Sequence, residues 1–169
     1  MSNKLIAIDP ANVYSGYVIV EYDENFEITK ILDKGKVEND KIYDILAREH
    51  GYELAVEMIA SYGMAVGATV FETCVTIGRF TQFALDIGKV KTVGRVYRKD
   101  EKLNICGTLK AKDANIMQAL IDRYAYGVPN RGKGTKKNQG FFYGFSKDMW
   151  AAMAVAVTYL DSKKREAST

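Results

Sequence analysis

Three acidic residues stand where predicted elements of the chain begin or end. Asp9 closes the apolar run Leu5–Ile8, Glu57 closes a second apolar run, and Asp148 lies in the first turn of the predicted last helix. Carboxylate oxygens are the hard ligands that Mg²⁺ and Mn²⁺ prefer. Two such ions can activate a water and stabilise the leaving oxygen when a phosphodiester is cut. The spacing therefore indicates a metal site built from three elements.

Each acid also has an ordinary structural explanation. Asp9 precedes Pro10 and could hydrogen-bond a turn at the end of its strand. Glu57 could be an exposed acid at a strand end. Asp148 follows the potential cap Ser146, in a helical turn where the helix dipole favours any acid. Taken one at a time, these explanations are as good as metal binding, and the combination of all three favours the metal site.

Composition is that of an ordinary globular protein. The 169 residues are 47% hydrophobic and 27% charged, which fits one domain with a sizeable core. We expect residues 1–160 to form this domain and 161–169 to be a flexible tail. No stretch is apolar enough for a membrane span or a signal peptide. Cys74 and Cys106 lack the spacing of a zinc site or a disulfide framework, so a cytoplasmic protein is expected.

Charge is distributed unevenly along the chain. Residues 1–88 hold 7 Lys and Arg against 14 Asp and Glu, whereas residues 89–147 hold 14 against 4. A basic region next to an acidic one is typical of a surface that binds a polyanion. Charges solvated on separate faces would give the same counts, but the size of the difference favours a nucleic-acid partner.

The hydrophobic periodicity predicts an α/β fold with a five-stranded mixed sheet and helices on both faces. Strands 4–9 and 52–57 can lie side by side in such a sheet, which would bring Asp9 and Glu57 together. A loop rich in Gly and Lys precedes the last helix, and its glycines predict mobility. The predicted strands are 4–9, 17–22, 26–37, 52–57 and 92–97, and the predicted helices are 40–50, 66–87, 98–106, 111–126 and 146–160.

Four segments carry a resemblance to a known family. They are Ile8-Asp9-Pro10 with Gly16, Ala55-Val56-Glu57, the segment 110–116 (KAKDANI), and the segment 148–156 (DMWAAMAVA). In this order and spacing they resemble the RuvC-type Holliday junction resolvases over nearly the whole chain. The segments 57–63, 71–73 and 77–80 are similar to the phage-encoded branch of that family.

The resemblance implies an RNase H-like fold and a homodimer that cuts four-way DNA junctions on two strands. The cofactor would be Mg²⁺, with Mn²⁺ able to substitute, and a phage protein would act in the host cytoplasm. Asp9, Glu57 and Asp148 match three of the family's four carboxylates. The fourth, three residues after Asp148, falls on Ala151. Asp113 is a possible substitute, although an acid near a helix start is common for other reasons.

Basic residues near the site are candidates for DNA contact. Lys112 lies within one position of a family lysine near the active site and could help neutralise phosphate. Lys110 belongs to the same matched segment. The loop 130–144 has four basic residues, no acid and three aromatics, and suits phosphate contacts. The four basic residues are Arg131, Lys133, Lys136 and Lys137.

Aromatic residues leave alternatives open. Tyr62 lies roughly where the family carries an aromatic that wedges into the junction, but a buried tyrosine with a satisfied hydroxyl is equally compatible with the sequence. Phe141, Phe142 and Tyr143 could stack on unpaired bases or dock the loop onto the core.

Cleavage of Holliday junctions, and of other branched DNA such as forks, is the function that these observations favour. A ribonuclease H acting on RNA–DNA hybrids would share the fold and the metal chemistry. A catalytically weak branched-DNA-binding protein is a second alternative, because of Ala151. A sugar-kinase or actin-like ATPase is disfavoured, since that fold needs a second lobe for which 169 residues leave little room.

Overall fold

The computed structural model describes residues 2–169 and contains one five-stranded mixed sheet with five helices. The strand order is β3-β2-β1-β4-β5. The strands are β1 (Asn3–Asp9), β2 (Tyr14–Tyr22), β3 (Ile28–Glu38), β4 (Tyr52–Met58) and β5 (Val90–Tyr97). The helices are α1 (Asn39–Arg48), α2 (Ala68–Asp86), α3 (Arg98–Cys106), α4 (Asp113–Tyr124) and α5 (Lys147–Ala167).

Strand β1 occupies the centre of the sheet because its apolar residues are buried on both faces. It pairs antiparallel with β2 and parallel with β4, and β5 continues the parallel side. Leu5 and Ala7 face the core under α4 and α5, whereas Ile6 and Ile8 face the core under α1 and α2. The predicted mixed sheet with helices on both faces is confirmed.

Small residues let α5 lie close to the sheet. Ala152, Ala154 and Ala156 are fully buried in the core that α5 shares with β1, β2 and β4. Close packing of this helix fixes where its first turn, which carries Asp148, meets the strand ends. No helix within residues 2–169 combines the length and the apolar character needed to cross a membrane.

Most element ends differ from the sequence-based expectation by one to three residues, and the ends of β3 and α5 show a physical reason. Strand β3 begins at Ile28 and not at residue 26, because Phe26 has a φ of 61° and belongs to the hairpin turn. Helix α5 continues to Ala167, so its predicted end at Leu160 is wrong. Ion pairs with residues distant in the sequence hold this extension, including Lys163 with Glu53 at 2.5 Å.

The basic segment before α5 is a folded loop with its own backbone hydrogen bonds. The Gly140 amide donates to the Lys133 carbonyl at 2.9 Å, and the Phe142 amide donates to the Gly132 carbonyl at 3.1 Å. Phe142 is fully buried and its ring packs on Trp150 with centroids 4.5 Å apart. The loop is therefore anchored to the core under α5.

Candidate active site

Strand pairing places Asp9 beside Glu57. Ile8 of β1 pairs in parallel with Val56 of β4, and the acids are the next residue on each strand. Alternate residues of a strand face the same side of the sheet, so Asp9 lies on the same face as Leu5 and Ala7. By the same alternation, both acids face α5. Their carboxyl groups are within hydrogen-bonding reach of each other. The predicted meeting of the two strand ends is therefore present.

Gly16 brings the third acid to the same place. It pairs directly with Asp9 across β1 and β2. A Cβ at Gly16 would lie 2.9 Å from the carbonyl carbon of Asp148 and closer still to its oxygen. The absence of a side chain thus allows the first turn of α5 to reach the sheet. Asp148 forms an ion pair with Lys36 of β3 at 3.2 Å.

One cavity of about 530 Å³ opens over these strand ends. Its wall includes all four predicted metal ligands, which are Asp9, Glu57, Asp113 and Asp148. Asp113 lies at the start of α4 with its side chain 77% exposed and paired with Arg98. Ala151 lies one helical turn after Asp148 and also lines the cavity, so α5 contributes no second acid to it.

The electrostatics of the cavity reflect buried carboxyl groups close together. Burial raises the pKa of Asp9 to about 8, and the hydrogen bond and charge of Glu57 and the charge of Asp148 add to this effect. Burial also raises the pKa of Glu57 above its ordinary value. The deprotonated form is the one that binds a metal. A divalent cation would therefore displace protons from this site.

Two charged residues of the site were not predicted from the sequence. Arg98 begins α3 directly after β5, and its guanidinium bonds both Glu101 and Asp113. Glu101 is 0% exposed and lies within reach of Glu57, and burial raises its pKa to about 7. In the structure β5 pairs parallel to β4, so the residues just after β5 reach the same edge of the sheet as Glu57. The sequence predicts β5 as a strand but gives neither its direction nor its neighbour.

The donor set suits a hard divalent cation, although the side chains are not yet converged on a single point. Among residues 2–169, no group of three or more Asp, Glu, His or Cys side chains already stands in an arrangement that could hold a metal ion. Asp148 is instead paired with Lys36, and Asp113 with Arg98. Carboxylates alone, without sulfur or imidazole, fit Mg²⁺ or Mn²⁺.

The predicted basic residues fall into three positions. Arg131 and Lys133 line the cavity. Lys136 and Lys137 are exposed in a tight turn, where the Thr135 amide donates to the Asn138 carbonyl at 3.0 Å. The remaining two, Lys110 and Lys112, are exposed and are not part of the cavity wall.

The aromatic alternatives are now separated by burial. Tyr62 is 64% exposed in the connection between β4 and α2, next to the exposed Met64. Phe142 is buried, and Phe141 stacks on Tyr124 with ring centroids 5.1 Å apart. These two phenylalanines therefore dock the loop onto the core, whereas Tyr62 is exposed and can contact a partner.

The fold is similar to those of solved Holliday junction resolvases. RuvC from T. thermophilus in complex with a Holliday junction substrate has a TM-score of 0.71 at 13% identity, covering 97% of this chain and 96% of that one. A second structure, Thermus thermophilus RuvC, has a TM-score of 0.66 at 18% identity, with 95% of each chain covered. No protein-family model and no curated protein sequence matches the chain.

A viral protein shows the same similarity. The Fowlpox virus resolvase, solved with substrate Holliday junction DNA, has a TM-score of 0.56 at 12% identity, covering 95% of this chain and 98% of that one. The chain thus has the fold of Holliday junction resolvases. Among these, the resemblance to the RuvC type that the sequence motifs indicate is confirmed at the level of the fold.

Proposed function

We propose that this chain is a divalent-metal-dependent endonuclease that cuts branched DNA, with four-way junctions as its main substrate. The observation that carries the proposal is the convergence of Asp9, Glu57 and Asp148, from three separate elements, on one cavity. Two proteins of the same fold were solved with Holliday junction DNA, which supports this substrate class.

The chemistry of the site would depend on its carboxylates. Asp9, Glu57 and Asp148 would hold Mg²⁺ or Mn²⁺, which when bound lowers the pKa of a water and offsets charge on a leaving oxygen. Arg131 and Lys133, which also line the cavity, would bind and orient the phosphate. The buried strand ends below would keep the acids fixed relative to that phosphate.

Surfaces around the cavity would bind the arms of the junction. Lys136 and Lys137 project from the exposed turn and would contact phosphates away from the cut, and Lys110 and Lys112 would do so beside α4. The exposed ring of Tyr62 could stack on an opened base pair. A homodimer would place two sites in two-fold symmetry, which matches paired cuts on a four-way junction.

The test is electrophoresis of a labelled synthetic four-way junction incubated with and without Mg²⁺. We expect Mg²⁺-dependent paired cuts by the wild type and none by the double variant Asp9→Asn, Glu57→Gln. The matched control is Asp122→Asn, Glu166→Gln, which removes two exposed acids outside the cavity. Robust cleavage by the first double variant would falsify the assignment. Preferential cutting of an RNA–DNA hybrid would identify a ribonuclease H instead.

One observation favours a second candidate, a protein that binds branched DNA but cuts it weakly. Ala151 faces the cavity one turn after Asp148, where the resemblance expects another acid. This alternative predicts tight junction binding in a mobility-shift assay and little cleavage at any Mg²⁺ concentration.

A further inference from the structure

Glu101 is a buried carboxylate with an unused oxygen. Its side chain is 0% exposed, one oxygen accepts from Arg98, and Oε1 has no hydrogen-bond partner. The other buried side-chain atoms without a partner in residues 2–169 are hydroxyl oxygens, on Thr81, Tyr124 and Thr158. A buried, unpaired acidic oxygen is costly unless a cation or donor meets it in the working state.

Glu53 shows how this fold satisfies a buried carboxylate when nothing else has to bind. It lies on β4 and faces α5, as Glu57 does, and its side chain is 12% exposed. Lys163 and Tyr159 donate to one oxygen at 2.5 and 2.6 Å, and Tyr22 donates to the other at 2.9 Å. Both oxygens of Glu53 thus accept hydrogen bonds, whereas Oε1 of Glu101 accepts none.

The position of Glu101 indicates which kind of group its unpaired oxygen could bind. Glu101 is within hydrogen-bonding reach of Glu57 and close enough to Asp9 for their charges to interact. Arg98 is the cation that contacts this group, and it also serves Asp113. When they are deprotonated, these three neighbouring carboxylates have more negative charge than the one guanidinium offsets, and a divalent ion would neutralise it.

We propose that Glu101 is the fourth carboxylate of the metal site, and that its Oε1 is a ligand contributed from α3. It would replace the metal ligand that an acid at position 151 of α5 would provide. The inference rests on the proposed function, since it assigns a further ligand to the same metal site. Arg98 would hold the other oxygen of Glu101 and so orient the carboxylate toward Asp9 and Glu57.

The test is Mn²⁺ binding by isothermal titration calorimetry, measured on the wild type, Glu101→Gln, and the double variant Glu101→Gln, Ala151→Asp. Asp100→Asn is the matched control, because Asp100 is on the same helix and lines a different surface depression. Circular dichroism checks the folding of each variant. We expect Glu101→Gln to weaken Mn²⁺ binding on the order of tenfold or more, and Asp100→Asn to bind as the wild type does.

The double variant separates a ligand from a residue that only supports Arg98. An acid added at position 151 should restore most of the lost affinity if Glu101 is a ligand, and should not if Glu101 is merely a partner of Arg98. Unchanged binding in Glu101→Gln, or a loss that Ala151→Asp does not restore, overturns the proposal. If Glu101→Gln fails to fold, Ala151→Asp alone decides, since marked tightening would show that the fourth carboxylate is absent from the wild type.

The same samples distinguish this inference from the proposed function. A wild type that binds Mn²⁺ but does not cut junctions contradicts the proposed function. The ligand assignment is then decided by the Mn²⁺ affinities of the variants. A wild type that cuts junctions, with a Glu101→Gln variant that binds Mn²⁺ normally, overturns the ligand assignment alone. A wild type that binds no Mn²⁺ overturns both.

Discussion

Replacing Gly16 by alanine is the most specific perturbation of the site that the fold offers. The new methyl group would not touch a carboxylate. It would press on the backbone carbonyl and the Cβ of Asp148, which cannot rotate away. The substitution therefore tests whether the distance between the strand ends and the first turn of α5 matters for function.

The size of the effect follows from the overlap. The Cβ would lie 2.9 Å from the Asp148 carbonyl carbon and 3.0 Å from its Cβ, with the carbonyl oxygen nearer still. Relieving that closest overlap to an ordinary 3.4 Å contact requires a shift of about 1 Å. A misplacement of about 1 Å in a reacting constellation can cost on the order of 100-fold in rate. We expect Gly16→Ala to lower the rate of junction cleavage by about that factor.

The assay is single-turnover cleavage of a four-way junction at saturating Mg²⁺, with circular dichroism to confirm folding. Gly94→Ala is the matched control, since its Cβ would lie 2.9 Å from a ring carbon of Tyr159 near the other end of α5. It should lose stability but retain cleavage in the folded fraction. A folded Gly16→Ala protein with wild-type cleavage would refute the idea that this close approach positions Asp148.

Three further predictions concern stability and DNA binding. Asp9→Asn should stabilise the metal-free protein at pH 8 by up to a few kcal/mol, at about 1.4 kcal/mol per pKa unit. Folding raises the pKa of Asp9 from 3.8 to about 8, so the protonated carboxyl makes its full contribution to wild-type stability below pH 4. This contribution is lost as the pH rises to 8. Urea unfolding of the wild type and Asp9→Asn in EDTA, at pH 4 and at pH 8, checks this prediction. An equal difference in unfolding free energy at both pH values would contradict it. Lys136→Ala with Lys137→Ala should weaken junction binding and reduce the slope of log affinity against log salt by about 2, whereas an unchanged slope would exclude phosphate contact. Phe142→Ala should cost about 3–5 kcal/mol in urea unfolding, and a cost below about 1 kcal/mol would contradict anchoring of the basic loop by this ring.

Much of the site could be predicted from the sequence because it lies at strand ends. Two apolar runs that each end in an acid, paired in parallel, must bring Asp9 and Glu57 to one edge of the sheet. Side-chain alternation then selects the face on which α5 lies. These local rules do not depend on distant contacts, which is why they apply to a single sequence.

Glu101 could not be predicted by the same rules. It follows Arg98, Lys99 and Asp100, and a charged helical turn of this kind is typical of a solvent-exposed face. Its burial results from the packing of α3 against α5, α4 and β5, which no local pattern encodes. The end of α5 was missed for a related reason, because partners such as Glu53 are distant in sequence.

The conformation of the basic loop could not be predicted from its composition. Gly132 and Gly134 have positive φ values of 75° and 67°, so here glycine permits a specific turn geometry. Burial of Phe142 then fixes the turn against α5. Arg131 and Lys133 consequently hold defined positions at the cavity wall.

A crystal structure of the wild type soaked in Mn²⁺, with anomalous diffraction collected at the manganese edge, tests the central claim most directly. The account predicts an anomalous peak in the cavity, with carboxylate oxygens of Asp9, Glu57 and Asp148 at a bonding distance of about 2.1 Å, as for other small divalent ions. Absence of a peak there at saturating Mn²⁺, or a peak held by other residues, would contradict the claim that these three acids form a metal-dependent nuclease site.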